Sequence, residues 1–241
     1  MGWRLINSEN TDPFYVTAVD EAIAIAKKEK KTPNTLHFYQ RNPAAVSIGR
    51  SRKIGEDVNV KECNNHNIKI VRRTTGGGTI YTDKDCLIYS LVFPKDDLKV
   101  FSYQDIFQQI CGSLVSAFKK LNIETLYKPP NDILLNGKKI SGSAQILKEN
   151  IVLNHGTILL DTNLDIMHKV LKQSNSSYVS SIKKETKATL SVLNIKETMK
   201  KEFEDIFDTE IVTTPLSSYE IRLIEKLLKE RYGNDAWNYV R

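Results

Sequence analysis

Two short apolar runs joined by Asn136-Gly137 constrain this chain more than any other feature of its sequence. Asn-Gly between two such runs is the strongest sequence signal for a two-residue type I′ β-hairpin. A turn of this length fixes which residues of the two strands face each other. The expected facing pairs are Leu135 with Lys138, Leu134 with Lys139, and Ile133 with Ile140.

Alternation along these strands separates the two lysines of the hairpin. The apolar residues share the core face, so Lys138 reaches water near the turn while Lys139 lies on the opposite face. Ser141 shares that face, and Asp132 lies diagonally across the ladder, within reach of a long side chain. A surface ion pair contributing about 0 to 1 kcal/mol is one interpretation. The other is a functional cation, favoured by the small residues Gly142, Ser143 and Ala144, which let another body come close.

Because Asp132 favours the charged form of its neighbour, Lys139 is better suited to be an electrostatic clamp than a nucleophile. A fixed ammonium stabilises carbonyl and phosphate oxygens as negative charge builds on them in a transition state. We therefore expect Lys139 to be the catalytic group of this protein.

Apolar spacing along the rest of the chain predicts mixed strands first and helices later. The clearest helix follows Ser102, with Asp105 three residues on as a capping box and apolar residues at intervals of three to four. Another helix opens at Asp12-Pro13. Further helices are expected at 164–171, 191–207 and 217–232, and strands at 35–40, 46–49, 68–73, 79–82, 87–93, 151–154 and 157–160. This order predicts one α+β domain with mixed or antiparallel sheets and flanking helices.

Composition narrows the function classes without choosing one. The net charge of +6 favours acidic partners, but the lysines are scattered without interleaved aromatic residues, as on a solvated surface rather than a nucleic-acid stripe. The three cysteines lack metal-binding spacing, which is typical of free thiols in a cytoplasmic protein. No apolar run approaches 18 residues. We expect a cytoplasmic protein that binds neither nucleic acid nor a membrane.

Three consecutive glycines, Gly76, Gly77 and Gly78, interrupt the expected strands after Arg72-Arg73. Glycines let a ligand lie against backbone N–H groups, which donate to phosphate or carbonyl oxygens. The spacing fits neither a Rossmann fingerprint nor a P-loop, and no helix opens after it. A flexible turn and an anion-binding loop both remain open at this point.

His155 stands out among the four histidines only by its position. It falls in Asn154-His155-Gly156-Thr157, between two expected short strands, where a turn or bulge would aim it at a ligand. An ordinary structural role is the alternative.

Several separated blocks together resemble the lipoate-protein ligase family, whose catalytic domain is similar in fold to that of biotin ligases and class II synthetases. The likeness spans nearly the whole chain. The blocks are Trp3-Arg4-Leu5, Asp20-Glu21-Ala22, Ala45-Val46-Ser47-Ile48-Gly49-Arg50, RRTTGGGTIYTD at 72–83, NDILLNGKKISGSA at 131–144 and NHGTILL at 154–160.

The resemblance implies roles for individual residues. Lys139 matches the family's catalytic lysine, and Arg73 to Gly78, Thr75 and Gly76 included, match the lipoyl-binding loop. Ile80 and Tyr81 are expected at the adenine, and Asn131 and Asp132 at the adenylate, with Asp132 at its Mg²⁺. His155 and Thr157 are expected to line the acyl pocket, and the segment 180–189 to cover the adenylate. The remaining expected substrate-binding residues are Asp83, Ser141, Gly142 and Ala144.

By the same resemblance, residues 1–241 form the catalytic domain, without the C-terminal accessory domain of longer members. Its substrates are ATP and lipoate with Mg²⁺, and its acceptor is a lipoyl domain or glycine-cleavage H protein. Two alternatives stay open: an octanoyl- or lipoyltransferase of the same fold, and a catalytic subunit that depends on a separate accessory protein. A transferase that relays the acyl group through a thiol needs a cysteine beside the catalytic lysine, and the approach 124–131 has none.

Overall fold

The computed structural model describes residues 2–98, 100, 102–172, 178–188 and 190–240. The strands are β1 (Trp3–Asn7), β2 (Asn34–Tyr39), β3 (Ala45–Ile48), β4 (Lys69–Arg72), β5 (Ile80–Thr82), β6 (Cys86–Pro94), β7 (Leu126–Lys128), β8 (Asp132–Leu135), β9 (Lys138–Lys148), β10 (Ile151–Leu159) and β11 (Ile211–Thr213). The α-helices are α1 (Pro13–Lys28), α2 (Ile54–Asp57), α3 (Val60–Asn65), α4 (Tyr103–Lys120), α5 (Leu164–Val170), α6 (Ile182–Thr186), α7 (Val192–Phe207), α8 (Ser218–Leu227) and α9 (Asp235–Asn238).

Within the described ranges the strands form a large and a small sheet. The large sheet has eight strands in the order β11-β1-β2-β6-β10-β9-β8-β7, and the small sheet has the order β4-β3-β5. β1 pairs in parallel with both β2 and β11, β3 pairs in parallel with β4, and the other pairs are antiparallel. The predicted α+β class with mixed sheets is confirmed.

Helices cover both faces of the large sheet. On one face, Tyr89 and Phe93 of β6 pack with Phe118 of α4 and Phe203 of α7 in the main core. On the other face, α1 buries its apolar stripe with β6, β10 and the last helices. Because the small sheet stands on this second face with α3 and α5, a cleft forms between the two sheets.

The predicted capping box and hairpin turn are confirmed. Ser102 accepts a hydrogen bond from the backbone of Asp105, whose carboxylate accepts in return from the backbone of Ser102. Asn136 and Gly137 have φ values of 51° and 74°, the left-handed pair that a type I′ turn requires.

The predicted register is correct beside the turn and wrong one step beyond it. Leu135 faces Lys138 and Leu134 faces Lys139, but Ile133 faces Ser141 rather than Ile140. A β-bulge places an extra residue in β9, so strict alternation breaks after Lys139. Ile140 stays in the core, and Ser141 turns toward the side of Ile133 instead of sharing the face of Lys139.

The two short strands predicted at 151–154 and 157–160 are one continuous strand, β10. It pairs with β6 on one side and β9 on the other without interruption at His155. Gly156 lies within this strand, opposite Tyr89. A Cβ on Gly156 would lie 2.4 Å from the phenol oxygen, so the close approach of Tyr89 requires a glycine here. His155 is therefore aimed by strand alternation rather than by a turn or bulge.

The helix predicted at 217–232 is observed in two parts, an α-helix followed by a π-helical turn. α8 ends at Leu227, and a π-helical turn continues from Leu228 to Tyr232, whose buried phenol donates to Glu21 on α1. Among the described helices, none is both long and apolar enough to cross a membrane.

Candidate functional site

The glycine triplet forms the loop between β4 and β5, on the side of the small sheet that faces β9 and β10. Gly77 has a φ of 83°, which residues with a side chain rarely adopt. Gly49, at the end of β3, makes room for the loop: a Cβ on Gly49 would lie 2.3 Å from the carbonyl oxygen of Gly77. The loop is thus held against the neighbouring strand rather than free to flex.

The two arginines before the loop build it instead of facing an anion. Arg73 donates to the carbonyl oxygens of Gly76, Gly78 and Ser47 at 2.6 to 2.8 Å. Arg72 is fully buried and donates to carbonyl oxygens in 49–52. Burial, with Arg41 nearby, lowers the pKa of Arg73 to about 10, so the guanidinium stays charged at neutral pH. The guanidinium groups of both arginines therefore bind backbone carbonyl oxygens in and beside the loop.

Lys139 and Asp132 form an ion pair in the cleft, with 2.6 Å between Nζ and Oδ1. Gly142 lies directly beneath them. A Cβ on Gly142 would come within 2.6 Å of Lys139 Cε and 2.7 Å of Nζ. The bulge in β9 brings Gly142 to the face of Lys139. A small residue is therefore needed at position 142 to leave room for the lysine side chain.

Two chambers meet at this ion pair. The His155 chamber, about 180 Å³, has an apolar wall of Tyr39, Ile80, Ile88 and Ala144 and a polar wall of Arg41, Arg73 and His155. The Tyr178 chamber, about 300 Å³, has a mainly apolar wall of Ile80, Tyr81, Leu159, Met167, Leu171, Tyr178 and Val179, and the charged side chains of Arg52 and Asp57 also line it. Both are bordered by Lys139, Gly142 and Thr157. A ligand extending from one chamber to the other would therefore pass the Lys139 ammonium.

A buried carboxylate anchors the wall of the His155 chamber. Asp20 accepts from His37 Nδ1 at 2.9 Å, from the Tyr39 phenol at 2.9 Å and from His155 Nδ1 at 3.3 Å. Since the proton of His155 then lies on Nδ1, its Nε2 accepts from the hydroxyl of Thr75, at 2.7 Å. The chain of bonds ties the glycine loop to α1 through β10.

The pKa values of Asp20 and His155 are both lowered, but by different causes. Burial alone would raise the pKa of Asp20, but the hydrogen bonds from His155 and His37 outweigh it and hold the pKa well below its usual range. Burial lowers the pKa of His155, against the opposing attraction of Asp20. Asp20 is thus a buried anion, and His155 is neutral at physiological pH.

No thiol reaches either chamber. Cys63, Cys86 and Cys111 are all buried, and none belongs to the lining of the two chambers. Cys111 Sγ lies 4.0 Å from Oγ of the lining residue Ser143, and burial raises the pKa of this thiol to about 11. Such a thiol is protonated and shielded, which is the opposite of a nucleophilic cysteine.

A family profile described as the lipoyl protein ligase A/B catalytic domain matches residues 12–204. The chain belongs to this family. Octanoyltransferase LipM of Brevibacillus brevis is similar to it, at 30% identity over 99% of both chains. That alignment spans 274 positions against the 241 residues here, so the relative carries residues without a counterpart in this chain.

Solved structures of the lipoyl protein ligase A/B family share the fold. A crystal structure of lipoate-protein ligase A bound with ATP superposes with a TM-score of 0.90, at 23% identity and 99% coverage of both chains. A bi-partite lipoate protein ligase from Thermoplasma acidophilum, described with its E2 lipoyl domain, gives a TM-score of 0.88 at 23% identity, covering 99% of this chain and 96% of that one.

Most residues expected at the site of this family member border the two chambers. Those in the lining are Arg73, Gly77, Gly78, Ile80, Tyr81, Asn131, Lys139, Ser141, Gly142, Ala144, His155 and Thr157. Asp132 joins them through its ion pair, while Thr75 and Gly76 support the loop from behind. Asp83 lies outside both linings, where its carboxylate accepts from the backbone of Asp85 and Asn163.

Several lining residues were missed at the level of sequence. Met167, Leu171, Tyr178 and Val179 all belong to the stretch 164–180 and line the Tyr178 chamber. Met167 and Leu171 lie in the predicted helix 164–171, whereas Tyr178 and Val179 lie in no predicted element. Of the segment expected to cover the adenylate, 180–188 includes α6, whereas Thr189 lies outside the described residues.

Replacing Gly142 with alanine should displace Lys139 without unfolding the protein, because a flexible side chain can move away from the new Cβ. Misplacement of a catalytic group by about 1 Å costs on the order of a hundredfold in rate. We expect such a loss of acyl-transfer activity, with the unfolding temperature nearly unchanged. Gly112→Ala in α4 is the control, since nothing lies near its added Cβ. Equal activity in the two variants would contradict this role of Gly142.

Asp20→Asn should lower the free energy of unfolding at pH 7.5 by about 3 kcal/mol, because hydrogen bonds to a buried charge are lost. The folded-state pKa of Asp20 lies below its unfolded value. Its contribution is therefore present above the ordinary aspartate range, near pH 4, and is lost as the pH falls below it. Urea titrations from pH 7.5 to 3.5 should show the difference from wild type narrowing.

Asp161→Asn is the matched control, because the ion pair of Asp161 with Lys183 is about half exposed. It should change the free energy of unfolding by less than about 1 kcal/mol. A difference between wild type and Asp20→Asn that stays constant with pH would show that the Asp20 charge does not stabilise the fold.

Proposed function

We propose that this chain is an ATP-dependent lipoate-protein ligase. It activates lipoate as lipoyl-AMP and passes the lipoyl group to a lysine of a lipoyl domain or glycine-cleavage H protein. The observation that carries the proposal is the position of Lys139 at the junction of two chambers, neither of which is lined by a thiol. The structure of lipoate-protein ligase A bound with ATP, which has the same fold, supports the proposal.

The chemistry of the linings suggests which substrate enters which chamber. The His155 chamber, with Tyr39, Ile88 and Ala144, would hold the acyl chain under the glycine loop. The Tyr178 chamber, bordered by aliphatic side chains and Tyr81, would hold the adenosine. Carboxylate and α-phosphate then meet beside Lys139.

In the first step, an oxygen of the lipoate carboxylate attacks the α-phosphorus of ATP, and the bond to pyrophosphate breaks. Negative charge concentrates on the phosphoryl oxygens as this happens. The Lys139 ammonium would stabilise that charge, moving from Asp132 toward the phosphate. Gly77 and Gly78 line the same chamber, near the proposed path of the carboxylate.

Asp132 is the carboxylate that would hold Mg²⁺ in this proposal, because it lies beside Lys139 and is partly exposed. Over the described residues, no group of three or more His, Cys, Asp or Glu side chains could hold a metal. One carboxylate fits an ion that takes most of its ligands from phosphate and water. When bound, Mg²⁺ would neutralise charge on the phosphates and assist departure of pyrophosphate.

In the second step, the ε-amine of the acceptor lysine attacks the acyl carbonyl of lipoyl-AMP. A tetrahedral oxyanion forms, loses AMP, and leaves an amide on the acceptor. Lys139 would stabilise the oxyanion, and the protein forms no covalent bond with the acyl group. A lipoate protein ligase of the same fold is described as bi-partite. In this proposal, a separate accessory subunit would act in the first step.

Octanoyl transfer is the second candidate function, favoured by the name of the B. brevis relative. The decisive assay gives the purified chain an apo lipoyl domain and one of three donors: lipoate with ATP and Mg²⁺, synthetic lipoyl-AMP, or an octanoyl thioester of a carrier protein. Mass spectrometry then identifies adenylate and acylated domain. Product from the first donor supports the ligase, product from lipoyl-AMP alone indicates a missing accessory subunit, and product only from the thioester overturns the proposal.

Lys139→Ala should abolish lipoyl-AMP formation while the protein still folds, because the charge that offsets the phosphoryl oxygens is removed. Lys138→Ala is the control, since the neighbouring lysine lies at the turn and outside both linings. Adenylate is measured by mass spectrometry and folding by circular dichroism. Wild-type adenylation by Lys139→Ala would refute the assignment.

Replacing all three cysteines with alanine should leave transfer to the lipoyl domain largely intact, because no thiol takes part in the proposed reaction. Activity is compared at a temperature where the variant is fully folded, since the buried thiols contribute to packing. Loss of transfer from every donor in the folded variant would revive a thioester relay, with Cys111 as its nearest source.

A further inference from the structure

The segment that carries Tyr178 is hydrogen-bonded to the backbone of Lys139 itself. β10 pairs with β9 only as far as Ser141, so the neighbouring position beside Lys139 is left open. Residues 178–180 occupy it: the Lys139 N–H donates to the Tyr178 carbonyl at 2.8 Å, and the Ser180 N–H donates to the Lys139 carbonyl at 2.9 Å. Tyr178 therefore has a fixed position relative to the catalytic ion pair.

The Tyr178 side chain completes the environment of Asp132. Its hydroxyl donates to Asp132 Oδ2 at 2.9 Å, while Lys139 binds Oδ1. The Lys128 ammonium, which is a donor only, contacts the phenol oxygen at 3.2 Å and lies 4.7 Å from the ring centroid. Because Lys128 donates to the phenol oxygen, the phenol hydrogen is directed at the carboxylate.

We propose that Tyr178 is a positioning residue that holds Asp132 in place when Lys139 leaves it for the substrate phosphate. Without a second anchor, the Asp132 carboxylate would follow the departing ammonium and compete with the phosphate for it. With Oδ2 held by the phenol, the lysine moves and the aspartate stays. Lys139 can then bind the substrate phosphate while the Asp132 carboxylate keeps its position.

The first test needs no substrate and is independent of the proposed function. Tyr178→Phe keeps the aromatic ring and removes only the hydroxyl, which should loosen the ion pair and leave the Lys139 amine free more often. Pulse labelling with acetic anhydride, read by mass spectrometry, should then modify Lys139 about threefold faster than in wild type. Unchanged labelling of Lys139 would overturn the proposal.

The chain offers a closely matched control at another site. Tyr219 also donates from its phenol to a carboxylate, Glu29, and a lysine, Lys31, lies 3.9 Å from its ring centroid. Tyr219→Phe removes the same kind of hydrogen bond far from the cleft and should leave Lys139 labelling unchanged. Faster labelling of Lys139 in both variants would show that the effect does not pass through Asp132, and would also overturn the proposal.

The second test rests on the proposed function and measures the two steps separately. Tyr178→Phe should slow lipoyl-AMP formation about tenfold in kcat, with the KM for lipoate unchanged, while transfer from synthetic lipoyl-AMP is nearly normal. In an Asp132→Asn background the same change should have no further effect, because the partner of the phenol is already altered. Independent, additive losses would sink the positioning role. If wild type forms no adenylate, the proposed function and the movement of Lys139 to a phosphate fail together, whereas the hold of Tyr178 on Asp132 is still decided by the labelling result.

Discussion

The ion pair between Lys139 and Asp132 is the interaction around which the rest of the cleft is arranged. Its 2.6 Å separation holds the ammonium at the place where the two chambers join. Gly142 leaves room for the side chain, and the bulge in β9 brings that glycine to the correct face. A partly exposed ion pair contributes little to the free energy of unfolding, so stability alone does not account for this arrangement.

A second set of charges serves stability and shape. Asp20 is buried and ionised, and it is tolerated because three donors surround its carboxylate. The same donors order the cleft, since His155 passes the connection on to Thr75 of the glycine loop. Arg73 then fixes the loop through its carbonyl oxygens. The loop of three glycines is thus held in place by hydrogen bonds from the buried side chain of Arg73 and through Thr75 to His155.

Features of the site that depend on residues close together in the sequence could be predicted. Features that depend on residues far apart in the sequence could not. Lys139 could be chosen because a two-residue turn fixes its partner locally. The bulge next to it could not, since it depends on how β9 meets β10 as well as β8. Tyr178 reaches Asp132 across 46 residues, and His155 reaches Asp20 across 135, with no local pattern in either case. For Arg72 and Arg73, charge alone did not tell whether the guanidinium groups face a ligand or the loop.

The absence of a thiol from the cleft has a chemical consequence for the source of the acyl group. A carboxylate is a poor electrophile, so it must gain a better leaving group before an amine can attack it. Either another enzyme supplies that leaving group, as in a thioester, or this protein makes it from a nucleotide.

A site that only transfers from a thioester needs one chamber for the acyl chain and a surface for its carrier. This cleft has, in addition, a second chamber walled by aliphatic side chains and Tyr81, joined to the first at the lysine. Under the proposed function, an adenosine would fill that chamber. The ligase proposal thus gives the second chamber an occupant, while the octanoyltransferase name of the B. brevis relative keeps direct transfer as the rival that the donor assay decides.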